Sequence, residues 1–178
     1  AIGADAAYVR GMVRAFNRRG WDAIALNLRG CSGESNRKAA TYHSGKTEDL
    51  DAVVDYAFDS CNYRELSLVG FSLGANLSLK YAGERGAAIR GGISSVIGIS
   101  APCDLVASAR ELDKPHNAVY TKRFLRSLIK KMQQREHLMP AGITRDYDSI
   151  QTLRDFDDAF TAPLNGFADA EDYWIKNS

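Results

Sequence analysis

The run Leu66-Ser67-Leu68-Val69 passes directly into Gly70-Phe71-Ser72-Leu73-Gly74, and a helical pattern follows at once through Leu77 and Tyr81 to Gly83. A short apolar run bounded by glycine reads as a buried strand. A strand that turns within a few residues into a helix is half of a crossover unit, and crossover units build parallel sheets. The surrounding sequence repeats the alternation. Val9, Met12, Val13 and Phe16 recur at helical spacing, and Gly20 closes that pattern. Trp21 to Leu28, with Ala23-Ile24-Ala25-Leu26 at its centre, reads as a further buried strand. Residues 29–45 are rich in Gly, Ser, Asn and Arg and read as a loop. Thr47 is placed to cap the next helix, with Glu48 and Asp49 in its first turn and Leu50, Val53, Val54, Ala57 and Phe58 as its apolar stripe. Ile93 to Ser100 is the last strand, stopped by Pro102. Helix, strand, helix, strand, helix, strand predicts a parallel sheet with helices on both faces.

After Asp104 no strand-like run appears. Tyr120, Phe124, Leu128 and Met132 form a helical stripe, and Lys122, Arg123, Arg126, Lys130, Lys131 and Arg135 lie around it. Residues 146–172 hold eight acidic residues and one basic, Arg154. Residues 105–178 therefore read as a helical insertion on a sheet core spanning 1–104, placed as a lid would be.

Gly70-Phe71-Ser72-Leu73-Gly74 is G-x-S-x-G in the strand–turn–helix setting that exposes a nucleophilic serine. Side chains at Gly70 and Gly74 are expected to collide across the sharp turn, so glycine is needed at both. The helix N-terminus beyond Ser72 presents free N–H groups, and the Leu73 amide is placed to hold an oxyanion. Asp104, just after the last strand, has two readings: the acid partner of a triad, or a cap on the next helical turn. His43 is a hydrogen-bonding structural residue or a site residue. His116 and His137 fall in the helical insertion. Arg29 and Glu34 are candidates to pair beside the site. No His, Cys or carboxylate spacing matches a metal site, no phosphate-cradling glycine pattern is present, and no cofactor is expected.

With these motifs in hand, the chain resembles the YheT-like branch of the α/β-hydrolase superfamily. The resemblance rests on Tyr8-Val9-Arg10-Gly11, Asn27-Leu28-Arg29-Gly30-Cys31-Ser32-Gly33-Glu34 and Tyr42-His43-Ser44-Gly45. It continues through Thr47-Glu48-Asp49-Leu50, Gly70-Phe71-Ser72-Leu73-Gly74-Ala75-Asn76, Phe156-Asp157 and Ala162-Pro163-Leu164-Asn165-Gly166-Phe167. Ala75 departs from the family's usual third glycine. The resemblance implies an α/β-hydrolase fold with a helical lid, truncated at both ends. It implies a serine esterase or acyltransferase acting on medium-chain acyl or lipid esters. Ser72 is its nucleophile, and the triad acid and His lie beyond Ser178. Ile2 or Gly3 is what remains of a second oxyanion loop. An isolated piece of this kind is expected to be inactive. A non-catalytic hydrolase-fold module that binds an acyl ligand is the alternative from another class.

Charge and cysteines bound the partners. Lys+Arg number 23 and Asp+Glu 22, a balance that argues against a dedicated nucleic-acid binder. Three cysteines, Cys31, Cys61 and Cys103, cannot all pair, which points to a reducing cytoplasm with thiols buried as small apolar groups. No run is apolar and long enough for a transmembrane helix. The basic face after Tyr120 has three readings: peripheral contact with an anionic membrane, a solvated surface, or pairing with the acidic stretch 146–172.

Overall fold

The computed structural model describes residues 3–34 and 36–178. Among the described residues the sheet has two parallel strands, β1 (Leu66–Phe71) and β2 (Ile93–Ile99), joined through helix α3 (Leu73–Arg85). Ser67 pairs with Ser95 and the register holds to Phe71 opposite Ile99, after a shift between Leu66 and Ser67. Side chains alternate across the sheet. Leu66, Leu68 and Ile93 pack with Leu50 and Val54 of α2 (Thr47–Asp55) and with Leu77 and Tyr81 of α3. Val54, Leu77 and Tyr81 are each at most 2% exposed. Burying such a side chain contributes about 1.5–3 kcal/mol, so this cluster anchors the sheet. On the opposite face α1 (Ala7–Asn17) brings Tyr8 edge-on to Phe71, with ring centroids 5.0 Å apart. Ile97 and Ile99 of that face are exposed.

Three expectations are corrected. Residues 21–28 form no strand. A parallel strand needs a neighbour for its N–H and C=O groups, and among the described residues β1 pairs only with β2. Trp21 and Ile24 are exposed, while Leu26 and Leu28 still reach the α2–α3 cluster. The cap position of α2 belongs to Lys46, and Thr47 is its first helical residue. Thr47 instead donates its hydroxyl to Glu84 at 2.7 Å, tying α2 to α3. The thiols are not core groups: Cys31 and Cys61 are half-buried and Cys103 is exposed.

Residues beyond Pro102 build helices α4 (Leu105–Leu112), α5 (Ala118–Gln133), α6 (Leu153–Phe156), α7 (Ala162–Asn165) and α8 (Ala170–Asn177). They have cores of their own. Leu125 and Met132 of α5 close over Leu153, Phe156 and Phe160. Leu105 and Ala109 of α4 pack on Tyr173 and Trp174 of α8. A capping box starts α6, with the Thr152 hydroxyl accepting from the Asp155 amide and Asp155 accepting from the Thr152 amide. Among the described residues no helix is long and apolar enough to cross a membrane.

Candidate active site

Ser72 stands between the end of β1 and the first turn of α3 with φ 50° and ψ −121°. A left-handed φ is uncommon for a residue with a Cβ and marks stored strain. Bonds on both sides hold it. The Ser72 N–H donates to Ile99 O at 2.9 Å, extending the ladder by one residue. Its carbonyl accepts from the Ala75 and Asn76 amides at 2.9 and 3.1 Å, closing the first turn of α3. The side chain is exposed. Leu73 is the first helical residue, so its N–H has no intrahelical acceptor, and it makes no hydrogen bond among the described residues.

Gly70 is required by this turn. A Cβ built there would lie 2.6 Å from Ala75 Cα and closer still to the Gly74 carbonyl. Gly74 is not required in the same way, because a Cβ there meets nothing within 4 Å. The expected mutual collision is one-sided, since the two glycines face different directions once the helix begins.

The remaining candidates lie apart from Ser72 in role. Asp104 is exposed and caps α4, accepting from the Ala107 amide at 2.8 Å. His43 is buried, its ring edge-on to Phe167 and Tyr173 at 5.3 and 5.6 Å. Its Nδ1 accepts from the Gly45 amide at 3.2 Å. Burial, with Lys46 adding like charge, holds His43 down to about 4, so it is neutral at pH 7. His116 is exposed and pairs with Glu111 at 3.1 Å, and His137 is exposed. Arg29 forks onto Asp49 of α2 and not onto Glu34. Gly3 packs tightly on Cys31 O and Asn27, and Ile2 lies outside the described residues. Two concavities, of about 470 and 420 Å³, open beside Arg29 and beside Lys80, and neither is lined by Ser72.

A buried polar network next to the turn was not foreseen. The Asn76 amide group, one helical turn after Ser72, donates to Ser44 O at 3.1 Å and to Asn177 O at 2.8 Å. The Tyr173 hydroxyl donates to Ser44 Oγ at 3.0 Å and accepts from the Ser44 amide at 3.1 Å. Burial pushes that hydroxyl up to about 12, so it stays protonated. The network ties α3 and loop 41–46 to α8. Its one signal in the sequence is Asn76 itself, a polar residue between the apolar Ala75 and Leu77 at the start of a helix.

A strained serine at the carboxyl end of a parallel strand, opening a helix, belongs to one large class of folds, and the comparisons agree. The family description of the alpha/beta hydrolase fold matches residues 1–137, and the chain belongs to that family. It is 32% identical over 176 residues to YheT of Escherichia coli, named as a candidate esterase, a match that covers 96% of this chain and 51% of YheT. It is 28% identical to the monoacylglycerol lipase of Saccharomyces cerevisiae, covering 99% of this chain and 40% of that protein. It is 26% identical to the phospholipase ABHD3 of Mus musculus, covering 96% of this chain and 42% of that one. The chain thus spans about half the length, or less, of these curated relatives. No solved structure matches it.

Proposed function

We propose that Ser72 is the nucleophile of a serine hydrolase that cleaves carboxylic esters, with medium-chain acyl or lipid esters as the substrate class. The observation that carries this is the Ser72 backbone. A residue with φ 50° projects its hydroxyl from the turn, and the unengaged Leu73 N–H stands beside it. Ser72 Oγ attacks the ester carbonyl, and the Leu73 amide stabilises the oxyanion of the tetrahedral intermediate. The alcohol leaves, and water releases the acid from the acyl-enzyme. An alcohol in place of water makes the same site an acyltransferase. The family resemblance assigns the base and its acid partner to residues further along a full-length protein, and this chain matches about half of YheT. The 178-residue chain alone is then a poor catalyst, because an unassisted serine hydroxyl is a weak nucleophile. The names lipase and phospholipase borne by two relatives support a lipid ester.

The test uses the full-length protein, a serine-directed fluorophosphonate probe and p-nitrophenyl esters of increasing acyl length. Labelling at Ser72, with hydrolysis lost by more than about a thousandfold in Ser72→Ala, is the expected result. A folded protein that neither labels nor hydrolyses leaves the binding-module reading in its place.

A further inference from the structure

Helix α5 (Ala118–Gln133) divides its cations between two jobs. On its inner side Lys131 donates to Cys31 Sγ at 3.2 Å and lies over the Tyr42 ring. Just past its end, Arg135 is buried and donates to Lys38 O and Ala39 O at 2.5 and 2.9 Å. These two bind the helical region to the loop before α2. Lys122, Arg123, Arg126 and Lys130 point outward and are exposed. Among the described residues none of these four forms an ion pair or a side-chain hydrogen bond.

The acidic stretch 146–172 does not neutralise them. Asp172 pairs with Lys176 at 2.7 Å, and Glu171 with Arg154 at 3.3 Å. Asp157 accepts from Trp174 Nε1 at 2.8 Å, and Asp158 from the Ala170 amide at 2.6 Å. Asp155 is spent on the start of α6. Among the described residues none of the eight acidic groups forms an ion pair with these four cations, so the intramolecular reading of the basic face fails.

Val119, Arg123, Arg126 and Lys130 fall at i, i+4, i+7 and i+11, which is one line along the helix. The line begins with Val119, 84% exposed, and Tyr120, on the adjoining side of the helix and stacked on Phe124, is 60% exposed. The opposite face is committed to the core through Thr121, Leu125 and Met132.

We propose that the outer face of α5 is a docking surface for an anionic lipid bilayer. Arg123, Arg126, Lys130 and the flanking Lys122 sit at the level of the lipid headgroups, and Val119 and Tyr120 enter the interface. Cations meet a negative surface, and a valine and an amphipathic tyrosine ring are better placed at that boundary than in water. A nucleic acid or an acidic protein is matched by the cations alone and leaves Val119 and Tyr120 without a role. The inference does not depend on Ser72 chemistry.

The experiment is co-sedimentation of the full-length protein with vesicles of phosphatidylcholine alone, or of phosphatidylcholine mixed with phosphatidylglycerol. Binding to the mixed vesicles only, weakened by salt, is the expected result. Each neutralised cation lowers the partition coefficient by about fivefold, so Arg123→Gln/Arg126→Gln/Lys130→Gln together lower it by about a hundredfold. Val119→Ser/Tyr120→Ser weakens vesicle binding while retention on heparin is unchanged. Thermal melts establish that the variants are folded, and the salt series on the wild type tests the same point with no substitution. Ser72→Ala binds vesicles as the wild type does. Absence of binding to the mixed vesicles overturns the proposal. So does a triple variant that binds normally. Loss of the Val119 and Tyr120 effect with the charge effect intact also overturns it, in favour of a polyanion or an acidic protein partner.

Discussion

Gly70 and Gly74 bracket Ser72 evenly in the sequence but unevenly in space. A methyl group on Gly70 runs into backbone, which cannot move without opening the first turn of α3. A methyl group on Gly74 enters open space within a helix, where alanine is preferred over glycine by about 1 kcal/mol. Gly70→Ala is therefore expected to destabilise the protein by more than about 3 kcal/mol, at the upper end of overpacking costs, and to displace Ser72. Gly74→Ala should be neutral or stabilising by up to about 1 kcal/mol. Denaturant midpoints of the two variants check this, and equal losses would contradict it. The need for a permissive Ser72 backbone is legible in the pentapeptide, because strand and helix must meet within it. Which glycine relieves the crowding is not legible, since that depends on where each Cβ points once the helix has formed.

At the scale of elements, local pattern and long-range partnership separate. The stripes Leu50–Val54 and Leu77–Tyr81 predict buried helix faces, and those faces are buried. Residues 21–28 have an equally apolar pattern and form no strand, because strand formation needs a neighbouring ladder that the segment's own composition does not supply. Asp104 shows the same limit for the site: two roles fit its position in the chain, and only the folded turn places its carboxylate on the Ala107 amide. The attachment of α8 to the core was hidden for a related reason, as Ser44 and Tyr173 are 129 residues apart. That attachment is testable. Tyr173→Phe keeps the ring against His43 and Phe167 but leaves the buried Ser44 amide without its acceptor. An unsatisfied buried donor costs about 1–3 kcal/mol. Chemical denaturation should show that loss, together with faster hydrogen exchange at the Ser44 amide. An unchanged midpoint and unchanged exchange would mean the hydroxyl is not holding α8 in place.

For the whole molecule, two desolvated titratable groups give stability opposite dependences on pH. His43 is held down to about 4 from its ordinary 6.5, chiefly by burial, with Lys46 adding repulsion. As pH falls from 6.5 towards 4 the unfolded chain takes up a proton that the folded protein refuses, so this residue's contribution is lost with acid. Asp157, half-buried with its carboxylate on Trp174 Nε1, is raised by desolvation to about 6 from 3.8. Between those values the folded state holds the extra proton, so the contribution of Asp157 is present at the acid end and lost as pH rises through 6. Between 4 and 6 the two slopes oppose each other, and the wild-type protein should lose less stability there than His43 alone dictates. Substitution separates them. His43→Phe keeps an aromatic ring between Phe167 and Tyr173 and removes the titration. Its melting temperature should lie below the wild-type value at neutral pH, through loss of the Gly45 amide acceptor, and the gap should narrow as pH falls from 6.5 to 4. Asp157→Asn keeps an acceptor for Trp174 and stays neutral, so its melting temperature should gain on the wild-type value as pH rises from 3.8 through 6. Melting curves of both variants across this range decide the matter. Gaps that stay constant with pH would mean that neither group is linked to folding, and that His43 and Asp157 are held by packing alone.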